Sequence, residues 1–126
     1  MKKIINTAKA PAPVGPYNQA TAHAGTLYIS GQIPINPATG ELVESGIEDE
    51  TRQVMENLKA ILAEAGLDFN AVLKCSVFVK DMRNYGQINA VYAEYFDEDT
   101  APARELVEVA NLPKFVNIEI SLIAAV

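Results

Sequence analysis

Between residues 54 and 65 the apolar side chains recur as Val54, Leu58, Ile61, Leu62 and Ala65, while Arg52, Gln53, Glu56, Asn57, Lys59 and Glu64 are polar. That period predicts an amphipathic helix over about residues 47 to 65, stopped by Gly66. Ser45 with Glu48 has capping-box spacing, and Glu48, Asp49 and Glu50 put negative charge at its N-terminus. A second stripe of Ile88, Val91, Tyr92, Tyr95 and Phe96, with Asn84 and Gln87 at cap-box spacing, predicts another helix ending near Phe96.

Elsewhere the period is two. Ala71 to Lys80 alternates, with Leu73, Cys75, Val77 and Val79 on one face and Lys74, Ser76, Phe78 and Lys80 on the other. Asn117 to Val126 alternates too, with Ile118, Ile120, Leu122, Ala124 and Val126 opposite Asn117, Glu119, Ser121, Ile123 and Ala125. Lys3 to Thr7 predicts a short first strand, and Ala10 to Tyr17 is too rich in Pro and Gly to continue it. Gln19 to Ala24 and Thr26 to Gly31 predict a hairpin turning at Ala24-Gly25. Glu41 to Val43 reads as a short edge strand, and Arg104 to Val109 as a further strand. The order predicts an α+β sandwich with both helices on one side of a mixed sheet. Lys74, Ser76, Phe78, Glu119, Ser121 and Ile123 then form a mixed second face, suited to a subunit interface with a polar pocket.

At 126 residues the chain is expected to form a single domain, residues 1–126, around one core. A formal net charge of −6 argues against a nucleic-acid backbone as partner, because such affinity rests on clustered Lys and Arg. The lone Cys75 excludes an internal disulfide and favours a reducing compartment, and it lies in an apolar run where a thiol is expected buried and inert. One His and one Cys do not make a usual metal cage. The basic start, Met1-Lys2-Lys3, has no long apolar core behind it, and no segment approaches a membrane span, so the expected location is cytoplasmic.

Two charges interrupt the strand-like sequence. Arg104, at the head of a β run, costs desolvation unless its planar fork meets an anion such as a carboxylate. Glu119 stands in the last strand on its less apolar face. Taken alone, Arg104 suits a structural ion pair and Glu119 an interface or solvent-facing charge. Tyr17, after Pro16, suits a surface loop, and Ser30 and Asn89 suit ordinary hydrogen bonding.

The chain resembles the RidA family, also called YjgF/YER057c/UK114, over essentially its whole length. The resemblance rests on Ala12-Pro13-Val14-Gly15-Pro16-Tyr17, Ser30-Gly31-Gln32-Ile33-Pro34, Thr51-Arg52-Gln53-Val54, Val77-Phe78-Val79-Lys80-Asp81, Pro102-Ala103-Arg104, Leu112-Pro113-Lys114 and Ile118-Glu119-Ile120. It implies a chorismate-mutase-like subunit in a homotrimer, with the second sheet faces forming a central barrel and sites in the clefts between subunits. It implies hydrolysis of enamines and imines such as 2-aminoacrylate, 2-iminopropanoate and 2-iminobutanoate to 2-keto acids and ammonia, with no cofactor. By the same resemblance Arg104 clamps the substrate carboxylate, Glu119 holds water and moves protons, and Tyr17, Ser30, Gly31 and Asn89 line the cleft.

The chain leaves the family pattern just after the arginine. Many relatives have a small residue and then cysteine where this chain has Glu105 and Leu106. Glu105 is expected either to alternate to the opposite face or to weaken anion binding. Two other function classes are weighed against the deaminase: a single-stranded RNA endonuclease, disfavoured by charge, and a non-catalytic module that binds a small carboxylate.

Overall fold

In the computed structural model, which describes residues 1–126, the strands are β1 (Lys3–Ile5), β2 (Ala20–His23), β3 (Thr26–Gln32), β4 (Val72–Val79), β5 (Ala103–Glu108) and β6 (Ile118–Ala125). The helices are α1 (Ile47–Glu64) and α2 (Tyr85–Tyr92). One six-stranded sheet runs β1-β2-β3-β6-β4-β5, antiparallel throughout except for the parallel β4–β5 pair that α2 connects. Leu27, Ile29, Cys75, Val77, Val79, Ile118, Ile120 and Leu122 on one sheet face pack with Val54, Met55, Leu58, Ile61 and Leu62 of α1 and Ile88 of α2 into one buried core. This is the predicted α+β sandwich.

Local chemistry explains most of the boundaries. Ala24 and Gly25 take φ of 50° and 82°, the left-handed pair that matches hairpin twist, so the turn falls where predicted. Gly66, at φ 77°, closes α1 by a paired C-terminal motif: its N–H donates to Ala63 O at 2.9 Å and the Leu67 N–H donates to Leu62 O at 2.8 Å. The N-terminal capping box does not form. Gly46 occupies the cap position, and the Ser45 hydroxyl donates to the Asp49 carboxylate at 2.8 Å instead.

Other expectations change. Leu73 is 54% exposed, because a bulge between Val72 and Lys74 lets Val72 take the inner position and turns Leu73 outward. The second helix stops at Tyr92: Glu94 and Tyr95 donate to Val91 O and Tyr92 O, three residues back, which tightens and ends the coil. Tyr95 and Phe96 still reach the apolar layer through edge-to-face contacts with Phe69 at 5.3 and 5.2 Å. The helix starts at Tyr85, directly after Asn84, but Asn84 makes no side-chain cap; the Asp81 carboxylate accepts from Arg83 N–H and begins a separate 3-10 turn, Met82–Asn84, that runs into α2. The edge strand at Glu41 to Val43 reduces to one bridge, Ile35 with Leu42, and Val126 lies exposed past the end of β6.

Two buried amides hold the loops on the sheet. Gln19, 1% exposed, donates from Nε2 to Thr7 O, Ala10 O and Pro11 O and accepts from Thr7 N–H at 2.6 Å. Asn57 of α1 donates to Ile33 O and Ile35 O at 3.2 and 3.0 Å. The start of the Pro-rich segment, which has few regular hydrogen bonds of its own, is thus anchored by the Gln19 side chain. Gln19→Leu keeps the volume and leaves these groups unpaired, so unfolding in urea should show a loss of about 3 kcal/mol; a loss below about 0.5 kcal/mol, the range of an ordinary surface change, would mean that the loop is held by other contacts.

Candidate functional site

Side chains alternate along a strand, and the sheet register therefore assigns each charge a face. Arg104 pairs beside Cys75, whose side chain is buried in the helix-side core. Glu119 pairs beside Phe78 on the open face. The two proposed chemical groups of one chain stand on opposite sides of its sheet.

On the helix side, α2 presents Tyr85, Asn89 and Tyr92 to Arg104 at a spacing of four and then three residues, one stripe of the helix. The Arg104 Nη1 donates to Asn89 Oδ1 at 2.9 Å and Nη2 donates to the Tyr85 hydroxyl at 3.0 Å. Its Cζ lies 4.8 Å from the Tyr92 ring centre, within cation–π range. The ion pairs of the chain join Arg52 to Glu94, Lys74 to Glu105 and Arg83 to Asp81, so Arg104 is held by neutral acceptors and an aromatic face. Beneath it, burial pushes the Cys75 thiol and the Tyr92 phenol upward, and both stay protonated at neutral pH. Cys75 is the inert core thiol expected.

On the open side, Glu119 borders a cavity of about 430 Å³ that Pro11, Tyr17, Gln19, Gly31 and Lys114 also line. A Cβ added at Gly31 would stand 2.7 Å from Glu119 Cδ, so glycine is the residue that lets the carboxyl group lie against the β3 backbone. Burial raises the carboxyl above its ordinary value, and no cation stands within ion-pair distance to reverse the effect. The Tyr17 hydroxyl accepts from Val14 N–H at 3.4 Å, which folds the Pro-rich loop over the cavity. Ser30 is not part of the lining: its hydroxyl donates to Asn18 O at 2.7 Å and so ties that loop to β3.

Tyr17, Gly31 and Glu119 thus come together on one face, and Arg104 with Asn89 on the other. Glu105 alternates away from the arginine. It accepts from Ser76 Oγ at 2.9 Å, and its carboxyl is held low by that bond and by Lys74, 3.4 Å away. Leu106 faces inward and packs against the core. The roles of Tyr85 and Tyr92 escape the sequence, because aromatic residues at helical spacing look like core; only their common stripe with Asn89 hints at more. Lys114, at φ 55° in the turn before β6, adds a cation to the Glu119 cavity that no pattern announced. The paired faces offer a receptor for a planar anion and a desolvated carboxyl group able to move protons.

Comparison with known proteins places this arrangement. Residues 7–126 match the family model described as Endoribonuclease L-PSP. A RutC family protein of Pyrococcus horikoshii is 55% identical, over 98% of each chain. A mouse protein named 2-iminobutanoate/2-iminopropanoate deaminase is 44% identical, over 98% of this chain and 91% of its own. The crystal structure of a conserved Rid family protein from Yersinia pestis superposes with a TM-score of 0.97 at 48% identity, covering 100% of both chains. With the match to the family model spanning nearly the whole chain and the same α+β fold in a Rid protein, the chain belongs to the RidA family.

Proposed function

We propose that the protein is a deaminase of 2-imino acids, hydrolysing 2-iminopropanoate and 2-iminobutanoate to 2-keto acids and ammonia and so removing reactive products of pyridoxal-phosphate enzymes. The observation that carries it is a guanidinium held only by neutral partners together with a desolvated carboxyl group. The name of the mouse relative supports the same reaction. The endonuclease reading rests on names, the family's description and those of solved structures such as a putative endoribonuclease of Thermotoga maritima, and a chain of net charge −6 with one His lacks the usual means to hold and cleave RNA.

Because Arg104 and Glu119 of one chain face opposite ways, the site is completed between copies, Arg104 from one and Glu119 from the next, in a homotrimer joined through the open sheet faces. Arg104 grips the substrate carboxylate by a two-point contact and aims the imine carbon at the Glu119 cavity. Glu119 takes a proton from water as the water oxygen bonds to that carbon, and the C=N electron pair moves to nitrogen, which receives the proton. The carbinolamine then collapses: its hydroxyl proton goes to nitrogen, the C–N bond breaks, C=O forms and ammonia leaves. 2-Aminoacrylate enters after tautomerising to 2-iminopropanoate.

Purified protein should accelerate loss of 2-iminobutanoate in a coupled assay, and Arg104→Ala and Glu119→Gln should each lower kcat/KM by about 100-fold or more. Saturable keto-acid binding without any acceleration would leave a binding module instead. The sign of the pH dependence follows from the raised carboxyl: the ionised base is required, so kcat/KM falls as pH drops through a value above the usual carboxylate range. For the same reason the ionised group destabilises the fold at neutral pH, and Glu119→Gln should raise Tm there, the gain vanishing as pH falls below the unfolded value. Co-refolding the two inactive variants should restore activity at about one site in four, since a shared site then draws each intact residue from a different chain. No recovery from a mixed oligomer would show that the site is not shared between chains in this way.

A further inference from the structure

Arg104 is already hydrogen-bonded, yet every group around it still has hydrogen to give. The Tyr85 oxygen accepts from Nη2, which leaves the phenol's own hydrogen free. Asn89 accepts through Oδ1 from Nη1, which leaves both of its amide hydrogens free, and no partner takes them within the chain. The guanidinium keeps further N–H groups beyond these two bonds. All the unspent hydrogens near the arginine are therefore donors, and no carboxylate is paired with it.

An ionised carboxylate accepts on both oxygens, at about four lone-pair positions. A guanidinium fork fills two of them, the inner pair. The outer positions need donors that flank the fork, and Tyr85 and Asn89 flank it one turn apart on α2. Tyr85 is 43% exposed with its hydroxyl at the arginine, so a ligand reaches that group from solvent. Its bond to a cation also polarises the phenol and makes it the better donor.

We propose that the Tyr85 hydroxyl is a substrate-binding group, donating its hydrogen to the carboxylate of the 2-imino acid beside the Arg104 fork, with the Asn89 amide on the other flank. This deepens the deaminase reading and rests on it. It assigns the arginine subsite to planar carboxylates bearing acceptors on both oxygens. A carboxamide, which puts hydrogens where the flanking donors point, is excluded.

The test is calorimetric titration with 2-ketobutyrate, an unreactive carboxylate, against wild type, Arg104→Ala and Tyr85→Phe. Phenylalanine preserves the ring, and an unchanged Tm verifies folding. The expected result is binding to wild type, loss in Arg104→Ala, and a Kd raised about tenfold or more in Tyr85→Phe, the effect of removing a hydrogen bond to a charged group. At saturating 2-iminobutanoate, kcat should change less than about twofold while KM follows Kd, as expected when ground and transition states lose the same contact. The chain has no tryptophan, so tyrosine dominates its near-ultraviolet absorption, and 2-ketobutyrate should red-shift that band in wild type and not in Tyr85→Phe. Weaker binding without the wild-type shift would make Tyr85 a positioning residue for Arg104 and overturn direct contact. An unchanged Kd with Arg104→Ala still defective would overturn the role of Tyr85 and leave the clamp standing. No binding to wild type would overturn the clamp and this inference together.

Discussion

The pleat of β4 governs what this chain can do. It is the strand between β6 and β5, and its two ladders set Glu119 beside Phe78 and Arg104 beside Cys75. Phe78 and Cys75 lie three residues apart, an odd number, so their side chains leave opposite faces of the sheet. A shift of one residue in either ladder would put both charges on one face of the sheet. The register keeps them apart, and each is left with a demand that its own chain does not meet. Arg104 has no anion in ion-pair contact, and Glu119 has neither a paired cation nor a hydrogen-bond donor within its chain.

Both demands carry a cost in stability. A half-buried carboxyl without a partner is disfavoured when ionised, and the close approach at Gly31 leaves no room for a side chain between it and the β3 backbone. Arg104 is treated differently. Tyr85, Asn89 and Tyr92 orient the guanidinium without neutralising it, through two hydrogen bonds and one aromatic face. A carboxylate in the place of Asn89 would hold the arginine more tightly and compete with any anionic ligand for it. Neutral support keeps the geometry while leaving the charge available.

The layers and the hairpin were legible because burial on one side imposes a period. Val54 to Leu62 repeats like a helix, Cys75 to Val79 like a strand, and both bury the side that repeats. Leu73 was not legible: alternation extended back through it, and only the pairing with β6 reveals the bulge that turns it out. Ser45 and Asn84 had cap spacing without cap bonds: Gly46 stands at the start of α1, and Asn84, at the start of α2, is already the last residue of a 3-10 turn capped by Asp81. Arg104, Glu119, Tyr17, Gly31 and Asn89 were legible only through family resemblance; their division between two faces required the register. Tyr85 and Tyr92 were hidden by their chemistry, because an aromatic residue that packs and one that supports a cation have the same spacing.

The same register settles the place where the chain leaves its family pattern. Glu105 follows the arginine directly, and an acidic group there would oppose any anion if it shared the arginine's face. It faces the other way, bonded to Ser76 and Lys74 in a polar patch on a face where Tyr28 and Val107 are exposed. Leu106 returns to the helix side, where its side chain adds apolar contact beside the core and offers no hydrogen bond. The substitutions therefore act in different places: Glu105 changes the charge of the open face, and Leu106 removes a thiol from the arginine's side while keeping the backbone. Neither introduces an acceptor that would satisfy Arg104, so the guanidinium keeps its charge unpaired within the chain.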